Sequence, residues 1–194
     1  MDFKELKEIF YQLDRRVFID NEMKQYAKMD APLPIGYGQT ISQPSLVLEM
    51  TYLLAPEKES RVLEIGTGSG FQTALLAEIS GEVYTVERIK ELAERAKERL
   101  NALGYLNIRF QTGDGSEGWP DFAPYDRIIV TAAAGKPPTV LVKQLANCGR
   151  MVVPVGPKNV QHLQLITKDE QGRIAIDVRG MVTFVEMKGK YGWD

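Results

Sequence analysis

The 194-residue sequence holds one cysteine, Cys148, and one histidine, His162. A single thiol forms no intrachain disulfide, and one imidazole beside one thiol makes neither a zinc cluster nor a histidine-centred catalytic constellation. No metal site is expected, and Cys148 is expected as a small buried apolar residue. Net charge is equally scarce, since 24 Lys and Arg against 26 Asp and Glu leave −2 at neutral pH. A chain this close to neutral lacks the broad positive field that phosphate-backbone binding draws on, so nucleic acid is not expected as a partner. Long hydrophobic runs are missing too. Stretches such as Met151-Val152-Val153-Pro154-Val155 fall far short of the roughly 20 residues that span a bilayer. The beginning, Met1-Asp2-Phe3-Lys4-Glu5-Leu6-Lys7-Glu8, alternates charge with apolar side chains and forms no signal-peptide core. The expectation is a cytoplasmic protein with no membrane partner. What is present, 44% apolar and 26% charged residues, is the composition of a soluble globular chain of one domain.

Periodicity divides the chain into a head, a middle and a tail. Phe3, Leu6, Ile9, Phe10 and Leu13 recur every three or four positions, which predicts a helix with one apolar stripe. Residues 31–44 carry too much proline and glycine for a helix interior or a central strand and read as a shaped loop. Pro44 suits a first helical position, and Leu46, Val47, Met50, Leu53 and Leu54 continue as a helical face. The middle alternates strand and helix signals. Strands are expected at 61–65, 82–87, 106–111, 127–131 and 150–155, and helices at 71–79, 89–103 and 138–146. That rhythm implies crossover connections and a parallel sheet covered on both faces. In the tail, 163–168 and 174–185 are separated by Asp169-Glu170-Gln171-Gly172, too short for a crossover, so these strands should pair antiparallel. The predicted fold is α/β: a doubly wound, mostly parallel sheet with antiparallel C-terminal strands, preceded by an N-terminal helical segment.

Directly after the first strand of the middle comes Glu64-Ile65-Gly66-Thr67-Gly68-Ser69-Gly70, running into a helix. Glycines there let the backbone bend and let a ligand approach it closely. The spacing is neither the dinucleotide fingerprint nor a P-loop, which favours a nucleotide-like ligand without pyrophosphate. Glu64 is expected to receive a cationic amino group, since it would repel phosphate. Glu87, at the end of the second strand, is placed to accept both hydroxyls of a ribose. Asp114, in Gly113-Asp114-Gly115 after the third strand, is placed to accept from an adenine amino group. Any one of these acids alone could be a solvated strand-end charge; together, in this order, they favour an adenosine carrying a charged amino acid.

At these residues the sequence resembles the class I S-adenosylmethionine-dependent methyltransferases and, more narrowly, the protein-L-isoaspartate (D-aspartate) O-methyltransferase family. The narrower resemblance rests on the block from Pro32 to Pro44 containing Gly38-Gln39-Thr40-Ile41-Ser42-Gln43, then Val62 to Gln72, Val86-Glu87-Arg88, Gly113-Asp114-Gly115 with Gly118-Trp119, and Ala123-Pro124-Tyr125-Asp126. Val130-Thr131-Ala132-Ala133-Ala134, Pro154-Val155-Gly156, Gln161 and Phe184-Val185 complete it. Glu186 departs from the proline that commonly follows in the family, and the segment before Arg15 is short.

The resemblance implies a Rossmann-like methyltransferase domain over residues 1–194, divided into a helical and substrate-loop segment (1–55), a cofactor-binding core (56–156) and antiparallel C-terminal strands (157–194). It implies S-adenosyl-L-methionine as cofactor, held by Ile41, Glu64, Gly66, Thr67, Gly68, Ser69, Gly70, Gln72, Glu87, Arg88, Gly113, Asp114, Gly115 and Thr131, with Trp119 packed beside the adenine. The substrate it implies is the free α-carboxylate of an L-isoaspartyl residue in damaged proteins and peptides, and the assembly a monomer. Ser42 and Thr40 take the catalytic role, and Thr40, Ser42, Ala132 and Val185 contact the substrate. Hydroxyls suit this task because they hydrogen-bond a carboxylate without neutralising it, and Ser42 precedes the positive end of a helix. A carboxylate is ionised at neutral pH and needs no general base. Two other readings share the cofactor crevice. A nucleobase methyltransferase wants an amide and an aromatic platform after the fourth strand, where this chain has Thr131-Ala132-Ala133-Ala134. A non-catalytic S-adenosylmethionine-binding module would not require Thr40 and Ser42.

Overall fold

The computed structural model describes residues 2–193. Asp2 caps the first helix, α1 (Phe3–Gln12), by accepting from the Glu5 amide at 2.8 Å. Leu6 and Phe10, one turn apart, are the buried stripe of α1, and the Phe10 ring meets Phe71 edge-on at 5.5 Å. A short hairpin follows, β1 (Leu33–Gly36) and β2 (Gln39–Ile41), and then α2 (Pro44–Leu54). The core alternates β3 (Arg61–Ile65), α3 (Phe71–Ile79), β4 (Glu82–Glu87), α4 (Lys90–Ala102), β5 (Ile108–Thr112), β6 (Tyr125–Val130), α5 (Thr139–Gln144) and β7 (Leu145–Val155). Two strands close the fold, β8 (Gln161–Lys168) and β9 (Ile174–Val182).

The main sheet has seven strands in the order β5-β4-β3-β6-β7-β8-β9. Strands β3 to β7 pair in parallel, and β8 and β9 are antiparallel. Leu63, Ile65, Ile128 and Val130 pack on one face, while Val62, Val83 and Ile129 pack on the other against Met50, Leu54 and Leu76. Burial on both faces is why these strands read as unbroken apolar runs, each such side chain contributing roughly 1.5–3 kcal/mol. From β3 the chain winds outward to β4 and β5, then returns to β6 on the other side of β3. The carboxyl ends of β3 and β6 therefore flank the switch point where doubly wound sheets bind ligands.

Four local expectations are corrected. Residues 31–44 hold a hairpin rather than only a loop, turned by Tyr37 (φ 54°) and Gly38 (φ 68°), both left-handed. Pro34 is tolerated because this two-stranded piece joins no larger sheet. The third core strand starts at Ile108, not Leu106, because Asn107 turns its side-chain amide onto the carbonyls of Ala77, Ser80 and Gly81 and leaves Leu106 in solvent. The helix expected to reach Ala146 stops at Gln144, and Cys148 is exposed rather than buried. Both follow from one irregularity: Tyr125 pairs with Leu145 and Arg127 with Arg150, so residues 146–149 bulge out with Cys148 at φ 61°.

Candidate active site

Strand β3 delivers Ile65 to the carboxyl end of the sheet, and the chain bends at Gly66 (φ 97°). A Cβ at Gly66 would lie 2.3 Å from the Thr131 hydroxyl, which reaches over from the end of β6 to the carbonyls of Ile65 (2.9 Å) and Gly66 (2.7 Å). Glycine is required there both for backbone conformation and for this close approach. The loop amides are largely committed within the protein: Gly66 N–H to Val86 O, Gly68 N–H to the Glu87 carboxylate, Gly70 N–H to Thr67 O and Phe71 N–H to the Ser69 hydroxyl. A phosphate cradle needs such amides free. This loop instead offers a shaped wall and, through Glu87, an acceptor suited to a diol. Glu87 also accepts from the Ile89 amide at 2.9 Å, which fixes its carboxylate at the crevice.

Two clefts meet beside this loop. The first, about 770 Å³, runs from Gly66, Thr67, Gly68 and Ser69 past Glu87, Arg88 and Gly115 to Ile41, Gln72 and Ala132. The second, about 1090 Å³, lies between α2 (Leu46, Glu49) and the end of β9 with the chain leaving it (Met181 to Phe184). Thr40, Ser42, Thr131 and Val185 line both. The hydroxyls of Thr40 and Ser42 have no hydrogen-bond partner among the described residues. They are donors free for a ligand spanning the junction. No group of three or more His, Cys, Asp or Glu that could hold a metal exists among the described residues.

Glu64 is elsewhere. Strand alternation sends it to the face opposite Ile65, beneath α3, where it is fully buried and accepts from the hydroxyls of Thr73 and Thr85, each at 2.6 Å. It does not line either cleft, so the expected contact with an amino group is not made directly. Its link to the loop is indirect, through Thr85 and the Thr67 hydroxyl 2.6 Å from it. Burial pushes the Glu64 carboxyl up to about 8 against the stabilising pull of Thr73 and Thr85, and the charge of Glu87 adds to the rise. Folded, the group keeps its proton at neutral pH; unfolded, it ionises near 4.5. Its contribution to stability is therefore present below that value and lost as pH rises through the folded pKa. Glu64→Gln should flatten this decline by a few kcal/mol, on the order of what such a shift implies. Urea denaturation of both proteins at pH 5.5 and 8 checks it, and equal declines would reject it.

The family model described as protein-L-isoaspartate(D-aspartate) O-methyltransferase matches residues 2–192. The chain belongs to this family. A protein-L-isoaspartate O-methyltransferase from Dictyoglomus turgidum is 50% identical over 182 residues, covering 94% of this chain and 82% of that protein. A solved structure of the same name superposes with a TM-score of 0.87 at 30% identity, over 98% of this chain and 66% of the other. A Plasmodium falciparum structure assigned as a beta-aspartate methyltransferase, in complex with S-adenosyl-L-homocysteine, gives 0.82 at 26% identity, over 97% and 92%.

As a protein-L-isoaspartate O-methyltransferase family member, the chain brings most of its expected residues together. Ile41, Gly66, Thr67, Gly68, Ser69, Gln72, Glu87, Arg88, Gly115 and Thr131 line the first cleft, with Thr40, Ser42, Ala132 and Val185 at or near the junction. Four expected cofactor residues do not line it: Glu64, Gly70, Gly113 and Asp114. Gly70 instead starts α3 against Leu100. Asp114 is engaged by the Ser116 amide and hydroxyl (2.8 and 2.7 Å) and by the Lys190 amide (2.7 Å). Trp119 packs edge-on to Tyr84 and Phe122 and is not on the cleft wall.

Among the residues missed are those brought by the C-terminal segment. Glu186, Met187 and Lys188 form one wall because the chain leaving β9 runs beside Ala133, whose amide donates to Val185 O at 2.7 Å and whose carbonyl accepts from Met187 at 2.8 Å. The Phe184 amide is likewise taken, by the Gln161 side chain at 2.9 Å. No periodic signal marks such a return. Near Ser42 the helix-end field is offset, because Asp30 already accepts from Ser45 N at 2.8 Å on the first turn of α2.

Proposed function

We propose that this chain transfers the sulfonium methyl group of S-adenosylmethionine to the free α-carboxylate of L-isoaspartyl residues in damaged proteins and peptides, with Ser42 and Thr40 as the catalytic pair. The observation that carries the reading is the meeting of two clefts at hydroxyls with no partner among the described residues. The donor set fits the cofactor: Glu87 offers a carboxylate to the ribose hydroxyls, and the amides of Gly66, Gly68 and Gly70 are taken within the protein, where a pyrophosphate cradle would need them. When bound, S-adenosylmethionine supplies a methyl group already activated on sulfur.

The chain's own residues then have only to hold and orient. An α-carboxylate, with a reference pKa of about 3.5, arrives ionised. Thr40 and Ser42 donate to it, fixing its direction without quenching its charge. Holding both reactants in line at the junction provides the rate enhancement. The small side chain of Ala132 on the cleft wall leaves room for a peptide backbone and gives a flipped base nothing to stack on. The same reading makes residues 1–194 one domain acting as a cytoplasmic monomer on isoaspartyl-containing proteins and peptides. No helix among the described residues is long and apolar enough to cross a membrane.

Incubating matched isoaspartyl and aspartyl peptides with methyl-labelled S-adenosylmethionine tests the assignment. Base-labile label is expected in the isoaspartyl peptide alone. Equal label in both, or none in either, would overturn it.

A further inference from the structure

Arg15 is buried to 7% exposure and forms no ion pair among the described residues. Its guanidinium donates instead to four carbonyls: Ala27 (3.0 Å), Met29 (3.0 Å), Ala31 (2.8 Å) and Ser42 (3.0 Å). Burying a cation without a carboxylate is costly unless its donors are satisfied. The planar fork does this at its two terminal nitrogens by gathering one segment, 27–31, and one distant carbonyl, while Nε has no partner among the described residues. The same segment reaches Ser42 from its other side. Asp30 accepts from the Ser45 amide at 2.8 Å and the Gln43 side chain at 3.0 Å. Ser42 is thus held through its own carbonyl by Arg15 and through its following neighbours by Asp30, while its hydroxyl remains free at the junction of the clefts.

We propose that Arg15 is a positioning residue for methyl transfer: through the carbonyls of residues 27–31 and Ser42 it sets the direction of the Ser42 hydroxyl. This rests on the reading of Ser42 given above. Lysine keeps the charge, but one ammonium with three donors cannot span four carbonyls set around a planar fork. Most of the cofactor wall comes from the ends of β3, β4 and β6 and from residues 186–188, and only the end of β2 at Ile41 adjoins this brace, so cofactor binding should change little.

The test is Arg15→Lys, alone and combined with Ser42→Ala, in the full chain. Isoaspartyl-peptide kinetics and calorimetry with S-adenosylhomocysteine are the readouts. Arg15→Lys is expected to lower kcat roughly tenfold with the cofactor Kd within about twofold, as misplacement of a reactive group by a fraction of an ångström would. In the Ser42→Ala background the same change should cost almost nothing, because the hydroxyl it positions is gone. Equal tenfold losses in both backgrounds, or a parallel loss of cofactor affinity, would reduce Arg15 to general support and overturn the proposal. Should Arg15→Lys fail to fold, Asp30→Ala on the exposed side of the brace carries the same test, with the same required non-additivity. Wild type inactive on isoaspartyl peptide would refute the function itself, whereas active wild type with unchanged kcat in Arg15→Lys would refute only the brace.

Discussion

Ser42→Ala should lower kcat by roughly 10²-fold and leave cofactor affinity and folding stability almost unchanged. The hydroxyl has no partner among the described residues, so removing it breaks no internal bond, and stability should move by no more than about 0.5 kcal/mol. What disappears is a donor to the acceptor carboxylate. A hydrogen bond to a charged group contributes about 1.5–3 kcal/mol, and the lost orientation adds to that, since small displacements at a reacting centre are amplified. Thr40 keeps a second donor at the junction, which is why the loss stops well short of abolition. Single-turnover kinetics with isoaspartyl peptide, beside calorimetry with S-adenosylhomocysteine, separates the two steps. A collapse of cofactor affinity with turnover per bound complex intact would mean that Ser42 shapes the cleft rather than orienting the substrate.

Glu87→Ala acts on the other cleft and should weaken cofactor binding by on the order of 10²-fold or more. Two losses combine. The carboxylate expected at the ribose hydroxyls is removed, and the amides of Gly68 and Ile89 lose the acceptor that fixes the loop and the start of α4. Leaving those partly buried amides without their acceptor costs up to about 1–3 kcal/mol of stability, so a lower melting temperature should accompany the weaker binding. Added S-adenosylhomocysteine should raise the melting temperature of wild type much more than that of the variant, because ligand stabilisation scales with affinity. Identical ligand-induced shifts would place the ribose elsewhere.

Local patterns carried most of the architecture. Val62 to Ile65 followed by three spaced glycines announces a buried strand, a sharp bend and a helix, because strand burial and loop geometry depend on neighbours in sequence. The same local logic located Glu87 at a strand end and Thr40 and Ser42 ahead of a helix. It failed where facing or distant pairing decides. Glu64 and Ile65 are adjacent, and alternation only says that they face opposite ways; which face carries the crevice depends on where α3 packs. Cys148 became exposed because β7 slips against β6 over residues 146–149, a register visible only once the strands are paired.

The chain by itself therefore determined the alternation of strands and helices in the core, the glycine loop, the place of Glu87 at a strand end and that of Thr40 and Ser42 ahead of a helix, since each is written in contiguous residues with a defined period or turn chemistry. Only the tertiary structure decided that Glu64 supports the loop from behind, that Asp114 is held by the Lys190 amide, and that Glu186 to Lys188 wall the crevice. It alone brought Arg15 to the carbonyl of Ser42, across 27 positions of sequence. Such contacts join segments far apart in the chain, and no local periodicity encodes them; they exist because the packed sheet and its helices leave those groups one place to satisfy their hydrogen bonds.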